Sequence, residues 1–246
     1  MEKPDQKILG IITARGGSKD IPGKNIKELC GKPLIVWTVE AAQQSGVFDR
    51  LILSTDDEKI AAVAREYGVE IPFMRPAELA QDTTPHLPVI QHAVAWLREH
   101  QKYEPDYAAI LQPTAPLRRP EHIREAYAML RSRGADSVVS VSPIPGHHHP
   151  LWAVRIGGGD LASLFVSGES LVRRIPRRQD LPPAYANNGA VYIFRTALLF
   201  RPEDPGFYGQ RSVAYVMKEE DSINIDDPED WTRAEAEFER RWAKKL

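Results

Sequence analysis

Short apolar runs alternate with amphipathic stretches along most of this chain, the pattern of a parallel sheet covered by helices on both faces. Ile8 to Ile12 reads as a buried strand, and Pro33 to Ser45 as a helix with proline in its first turn and a stop at Gly46. Leu51 to Ser54 is the second expected strand. Asp57 to Tyr67, with Ile60, Ala61, Ala64 and Tyr67 at helical spacing, returns across the sheet and ends at Gly68. A helix from Leu87 to His100, a strand from Tyr107 to Leu111, a helix from Pro120 to Arg133 closed by Gly134, and a strand from Ser137 to Val141 follow. Strands at Ala190 to Phe194 and Val213 to Met217 and a helix from about Pro228 to Lys244, capped by Asp227, complete the set.

The alternation fails between Pro143 and about Pro183, where prolines, glycines and arginines surround short apolar pieces at Leu151 to Ile156 and Leu161 to Phe165. So long a segment without regular structure is read as a functional insertion. The 246 residues, 42% of them hydrophobic, suffice for one domain spanning the chain with this insertion at about 143–183. No repeat or low-complexity segment interrupts it.

A net charge of −2 argues against nucleic acid as the main partner, so any anion affinity has to be local. Met1 to Lys7 is polar, without an apolar signal core, and no apolar stretch approaches the roughly 20 residues that span a bilayer. A cytoplasmic location without membrane contact is expected. The single cysteine, Cys30, excludes an intramolecular disulfide and a multi-thiolate metal site. His147, His148 and His149 are consecutive and are read as an entry loop rather than as metal ligands.

The local anion site is expected in residues 14–25, Ala-Arg-Gly-Gly-Ser-Lys-Asp-Ile-Pro-Gly-Lys-Asn, at the carboxyl end of the first strand, where open α/β sheets bind ligands. Arg15 offers a fork for phosphate, Lys19 and Lys24 add point charges, and Gly16 and Gly17 let backbone N–H groups approach anionic oxygens. Gly17 and Gly23-Lys24 nearly form a P-loop, but five residues separate the glycines and Asn25 stands where Ser or Thr would hold Mg²⁺. The first strand is not followed by G-x-G-x-x-G, which counts against a dinucleotide-dependent dehydrogenase.

This loop is similar to the first signature of the CMP-sialic acid synthetase (acylneuraminate cytidylyltransferase) family, which activates nonulosonic acids. Ser18-Lys19-Asp20-Ile21-Pro22 fits the sialate branch better than the Ser-Thr-Arg-Leu-Pro of relatives acting on Kdo. In order come Arg75-Pro76-Ala77-Glu78-Leu79-Ala80 with Asp82-Thr83, then Leu111-Gln112-Pro113-Thr114-Ala115-Pro116-Leu117-Arg118, then Arg178-Gln179-Asp180-Leu181-Pro182, then Asn188-Gly189-Ala190-Val191-Tyr192. The likeness covers nearly the whole chain.

The resemblance implies an α/β, Rossmann-like, mostly parallel sheet with helices on both faces, forming a nucleotidylyltransferase domain whose insertion serves dimerisation. It implies that CTP is held by Arg15, Gly16, Gly17, Ser18, Lys19, Lys24 and Asn25, with Arg75 and Asp82 toward the base and ribose. A nine-carbon acidic sugar would meet Gln112, Thr114, Arg118, Arg178, Asn188 and Tyr192, and Arg15, Lys19, Lys24 and Asp226 would carry catalysis with Mg²⁺ as cofactor. The partners implied are CTP, the sugar and a second copy of the chain. A GTP-using guanylyltransferase and a catalytically degenerate nucleotide-binding homologue are the alternatives.

One position departs from the family pattern. Relatives usually carry two carboxylates one residue apart, where this chain has Asn224 and Asp226 in Ser222-Ile223-Asn224-Ile225-Asp226. On a strand these alternate positions would face one ion together, with Asp226 as the metal ligand and Asn224 as a weaker second candidate.

Overall fold

The computed structural model describes residues 6–243; the polar start as far as Asp5, and Lys244, where the last helix was expected to end, lie outside the described residues. Six strands form one sheet: β1 (Ile8–Thr13), β2 (Arg50–Ser54), β3 (Tyr107–Leu111), β4 (Ser137–Pro143), β5 (Tyr185–Arg195) and β6 (Ser212–Val216). Their order is β6-β4-β5-β3-β1-β2. β1 pairs in parallel with β2 and β3, and β4 with β6, whereas β5 runs antiparallel between β3 and β4.

Helices cover both faces. α1 (Leu34–Ser45), α2 (Glu58–Glu66) and α4 (Pro120–Ser132) supply Ile35, Val39, Ile60, Ala64, Ile123 and Leu130 to a core that also takes Ile8, Ile12 and Leu53 from the strands. The opposite face takes Leu9 and Ile11 of the same β1 strand, covered by Ile90, Val94 and Leu97 of α3 (His86–Gln101). Since successive side chains of β1 serve both cores, the strand is apolar throughout rather than alternating. A third cluster seats α5 (Pro228–Ala243), whose Trp231, Ala234 and Phe238 meet Ile21, Leu34, Leu117 and Ile225.

The local signals act as expected. Gly46, at φ 63°, ends α1, and the Asp57 carboxylate accepts from the backbone N–H groups of Lys59 and Ile60 at the start of α2, a cap worth about 1 kcal/mol. The segment 143–183 contains a small antiparallel pair, Val154–Ile156 with Ala162–Leu164, joined by short 3-10 turns. It leaves Ile156, Leu161, Phe165 and Val172 exposed, Val172 at 90%. Among the described residues no helix is long and apolar enough to cross a membrane.

Candidate active site

The carboxyl ends of β1 and β3 open into a cavity of about 520 Å³, the place where an open α/β sheet presents its loops. Arg15, Ser18, Lys19, Lys24 and Asn25 line it from the loop after β1, Arg75 and Asp82 from the segment before α3, Gln112 and Thr114 from the turn after β3, and Asn224 and Asp226 from the approach to α5. Residues separated by two hundred positions in the chain thus share one cavity.

The cationic end is held by the protein itself. Lys24 Nζ donates to the Ile225 carbonyl across 2.9 Å; burial lowers its pKa, against the pull of Asp226 and Asp20. Asn25 is buried and its Nδ2 donates to the Arg15 carbonyl at 3.0 Å, so it shapes the loop. Arg75 is also buried: Nε donates to Ser54 Oγ at 3.0 Å, Nη2 to the Ser54 carbonyl, and burial lowers its pKa to about 10. Arg15 and Lys19 both contact Asp82.

Gly16 and Gly17 do not line the cavity. The Gly16 N–H is taken by Asp56 Oδ1 at 3.1 Å, and a Cβ at Gly16 would lie 2.6 Å from Asp57 Oδ2, so this glycine is required for close packing against the N-terminus of α2.

Of the six residues expected at the sugar, Gln112 and Thr114 line the cavity and four do not. Arg118 is fully buried, with Nη1 donating to the Ala190 and Gln112 carbonyls at 2.6 and 3.2 Å and Nη2 to Thr38 Oγ1 at 2.5 Å. It fixes the backbone beneath Gln112, and burial without a carboxylate partner lowers its pKa to about 9. Asn188 is buried, accepting from Ser140 Oγ at 2.6 Å and donating to Ser222 Oγ at 2.9 Å, which ties β4, β5 and the approach to α5 together. Tyr192 sits on the α3 side of β5, where burial raises its pKa. Arg178 lines a separate, shallower cavity of about 190 Å³ within the insertion.

Asn224 and Asp226 do point into the cavity together, although residues 222–227 form no strand. Ile223 and Ile225 pack into the third core cluster, and the Ile225 N–H donates to the Thr114 carbonyl at 2.7 Å. That anchoring gives the two-residue alternation without a sheet partner. Asp227 is occupied as a cap, accepting from the Asp230 N–H at 2.9 Å.

Among the cavity residues that belong to no motif of the sequence, two carry notable polar groups. Thr13, at the end of β1, has a buried Oγ1 without a hydrogen-bond partner. His86, in the first turn of α3, places Nδ1 3.5 Å from Gln112 Nε2, and burial and Arg75 push its pKa down. Threonine at a strand end and histidine in a helix have too many ordinary uses to be singled out from sequence.

A family model described as Cytidylyltransferase matches residues 9–153. CMP-N,N'-diacetyllegionaminic acid synthase of Legionella pneumophila is 38% identical over 93% of this chain and 95% of its own length. N-acylneuraminate cytidylyltransferase A of Danio rerio is 36% identical over 95% of this chain, and the enzyme of that name in Streptococcus agalactiae serotype V is 34% identical over 92%. This chain spans about half the length of those two relatives, 51% and 52%. In fold it is similar to a CMP:2-keto-3-deoxy-manno-octonic acid synthetase solved with CTP, with a TM-score of 0.66 at 18% identity covering 98% of this chain and all of the other.

Proposed function

This chain belongs to the cytidylyltransferase family, and from that premise we propose that it couples CTP to a sialic acid-like nonulosonic acid, of sialic, legionaminic or pseudaminic type, releasing pyrophosphate and the CMP-sugar. The observation that carries the reading is the cavity itself: four cations, Arg15, Lys19, Lys24 and Arg75, line it together with neutral hydrogen-bonding groups, Gln112, Thr114 and Asn224. Such a lining suits a polyanion lying beside a polyhydroxylated sugar.

In the proposed reaction the anomeric hydroxyl of the acid sugar attacks the α-phosphorus of CTP. A new P–O bond forms, the bond to the β-phosphate oxygen breaks, and the hydroxyl proton passes to water. Arg15, Lys19 and Lys24 neutralise charge on the α-phosphate and on the departing pyrophosphate, and such preorganised cations supply much of the rate in phosphoryl-type transfers. Among the described residues no three His, Cys, Asp or Glu side chains gather around a common point. A Mg²⁺ ion therefore fits only as one held by Asp226 with substrate phosphates and water, the usual arrangement for this cation, and it would add charge neutralisation there.

The apolar residues left exposed on the insertion, Ile156, Leu161, Phe165 and Val172, support the proposal that two copies associate through it. Light scattering on Val172→Asp beside wild type tests this, with a dimer expected for wild type and a monomer for the variant.

Incubating the protein with CTP, Mg²⁺ and a panel of sialic, legionaminic and pseudaminic acids should release pyrophosphate. Activity with GTP alone would transfer the reading to a guanylyltransferase. Silence with both nucleotides and every sugar would leave a nucleotide-binding homologue without turnover.

A further inference from the structure

Asn224 occupies the position where similar enzymes carry the first of two carboxylates, and its amide has only one sensible orientation. Nδ2 donates to Asp226 Oδ2 at 2.8 Å; turning the amide over would set two acceptor oxygens against each other. The carbonyl is thereby directed away from Asp226. Its oxygen is buried and has no hydrogen-bond partner, although the residue lines the cavity. An acceptor left in this state is destabilising unless a ligand supplies a donor.

A second acceptor lies beside it. Gly189, at φ 72°, carries no side chain, and a Cβ there would come 2.5 Å from Gln112 Oε1 and 3.3 Å from Asn224 Oδ1. The two carbonyl oxygens therefore both lie next to Gly189, in space that a side chain at this position would take. Their backbones are fixed independently: the Gln112 carbonyl receives Arg118, and the Ile225 N–H next to Asn224 donates to the Thr114 carbonyl. Two neutral acceptors side by side select a hydrogen-bond donor and repel a carboxylate or phosphate.

We infer that Asn224 reads a hydroxyl or acylamino N–H of the acid sugar, its carbonyl acting with Gln112 Oε1 as a paired acceptor while its NH₂ holds Asp226 in place. This rests on the function proposed above and assigns Asn224 to sugar recognition instead of to the metal. A cation shared by Asn224 Oδ1 and Asp226 Oδ2 would have to replace the N–H···O bond between them. The amide also keeps the net charge of this end of the cavity one unit less negative than a carboxylate pair would, which favours an anionic sugar.

The test compares wild type, Asn224→Ala, Asn224→Ser and Gln112→Ala by KM for the acid sugar, KM for CTP and half-saturating Mg²⁺. Titration calorimetry with the CMP-sugar product beside CMP isolates the sugar's share of binding without turnover. Asn224→Ala should raise the sugar KM about ten-fold and remove most of the product's advantage over CMP, with KM for CTP within about two-fold of wild type and half-saturating Mg²⁺ raised less than the sugar KM, through the lost bond to Asp226. Gln112→Ala should act in the same direction, and the double variant should lose less than the product of the two single effects. The serine variant, smaller but polar, gives the same readouts if the alanine variant folds poorly. A ten-fold rise in half-saturating Mg²⁺ with sugar binding unchanged would overturn the assignment, as would variants indistinguishable from wild type. If wild type turns over no sugar of the panel, the proposed function itself fails, and that result appears without any variant.

Discussion

The Asp82 carboxylate accepts a hydrogen bond from Arg15 Nη1 and meets Lys19 Nζ with its other oxygen, so two cations of the loop after β1 are paired with an anion brought from the segment before α3. Hydrogen bonding to Lys19 outweighs the opposing desolvation and, with the bond from Arg15 and both charges, keeps the Asp82 carboxyl below the usual range. A triphosphate at these cations would compete with Asp82 for them. Asp82→Asn should tighten CTP binding about two- to five-fold, the scale of exposed ion pairs. Titration calorimetry decides: weaker binding in the variant would mean that Asp82 orders the cations for the nucleotide instead of competing with it.

Lys24 stands apart from that pairing, with its ammonium on the Ile225 carbonyl and beside Asp226. Its half-buried charge is fixed before any substrate arrives, the condition under which a cation stabilises developing charge most effectively. Lys24→Ala should lower kcat by about 10²- to 10³-fold and change the melting temperature by only a few degrees. An unchanged kcat with a raised KM for CTP would confine Lys24 to ground-state binding.

Arg118 tests a different distinction. A sugar-contacting arginine could be removed at little cost to stability, but this one is fully buried and holds the Ala190 and Gln112 carbonyls and Thr38 Oγ1. Arg118→Ala would leave those acceptors unpaired and open a void, so it should cost about 3–5 kcal/mol of stability in denaturant titrations. A variant of wild-type stability with a raised sugar KM would restore the contact expected from the motif.

These cases mark what could be read from the residues. β1 and β3 are uninterrupted apolar runs because both faces are covered, and Gly46 and Asp57 end or begin their helices by local chemistry that needs no tertiary context. The reversed direction of β5 was not legible, since a strand of alanine, valine and isoleucine looks the same either way along the sheet. The cations of residues 15–24 were recognisable as a group because they cluster in sequence. Burial changes the meaning of a polar side chain at Arg118 and Asn188: within a motif they look like ligand contacts, and in the fold they bond backbone and neighbouring side chains. The extended run at 222–226 kept its alternation for a reason outside itself, the bond from Ile225 to Thr114 and the packing of its two isoleucines.

The segment that carries Asn224 and Asp226 is also fastened at its start. Asp221 accepts from Arg119 at 3.1 Å and from Arg241 of α5 at 2.7 Å, with His122 Nε2 at 3.5 Å. Burial alone would raise the Asp221 pKa, but the hydrogen bond to His122 and the charges of His122, Arg119 and Arg241 prevail and bring it to about 2. A carboxyl whose folded value lies below its unfolded one, 3.8, adds stability that is complete above that value and disappears as pH falls toward the folded value. The contribution is about 1–2 kcal/mol once solvent screening is allowed for. Wild type and Asp221→Asn should therefore differ by a constant margin between pH 5 and 7 in denaturant titrations, on the order of that contribution, and converge as pH falls from about 4 to about 2. A margin that stays the same down to pH 2 would assign the stability to packing around Asp221 rather than to its charge. Because the same turn leads into residues 222–226, the variant at neutral pH should also lose CMP-sugar synthesis before it loses CTP binding, the first sign of a cavity whose Asn224 and Asp226 side has loosened.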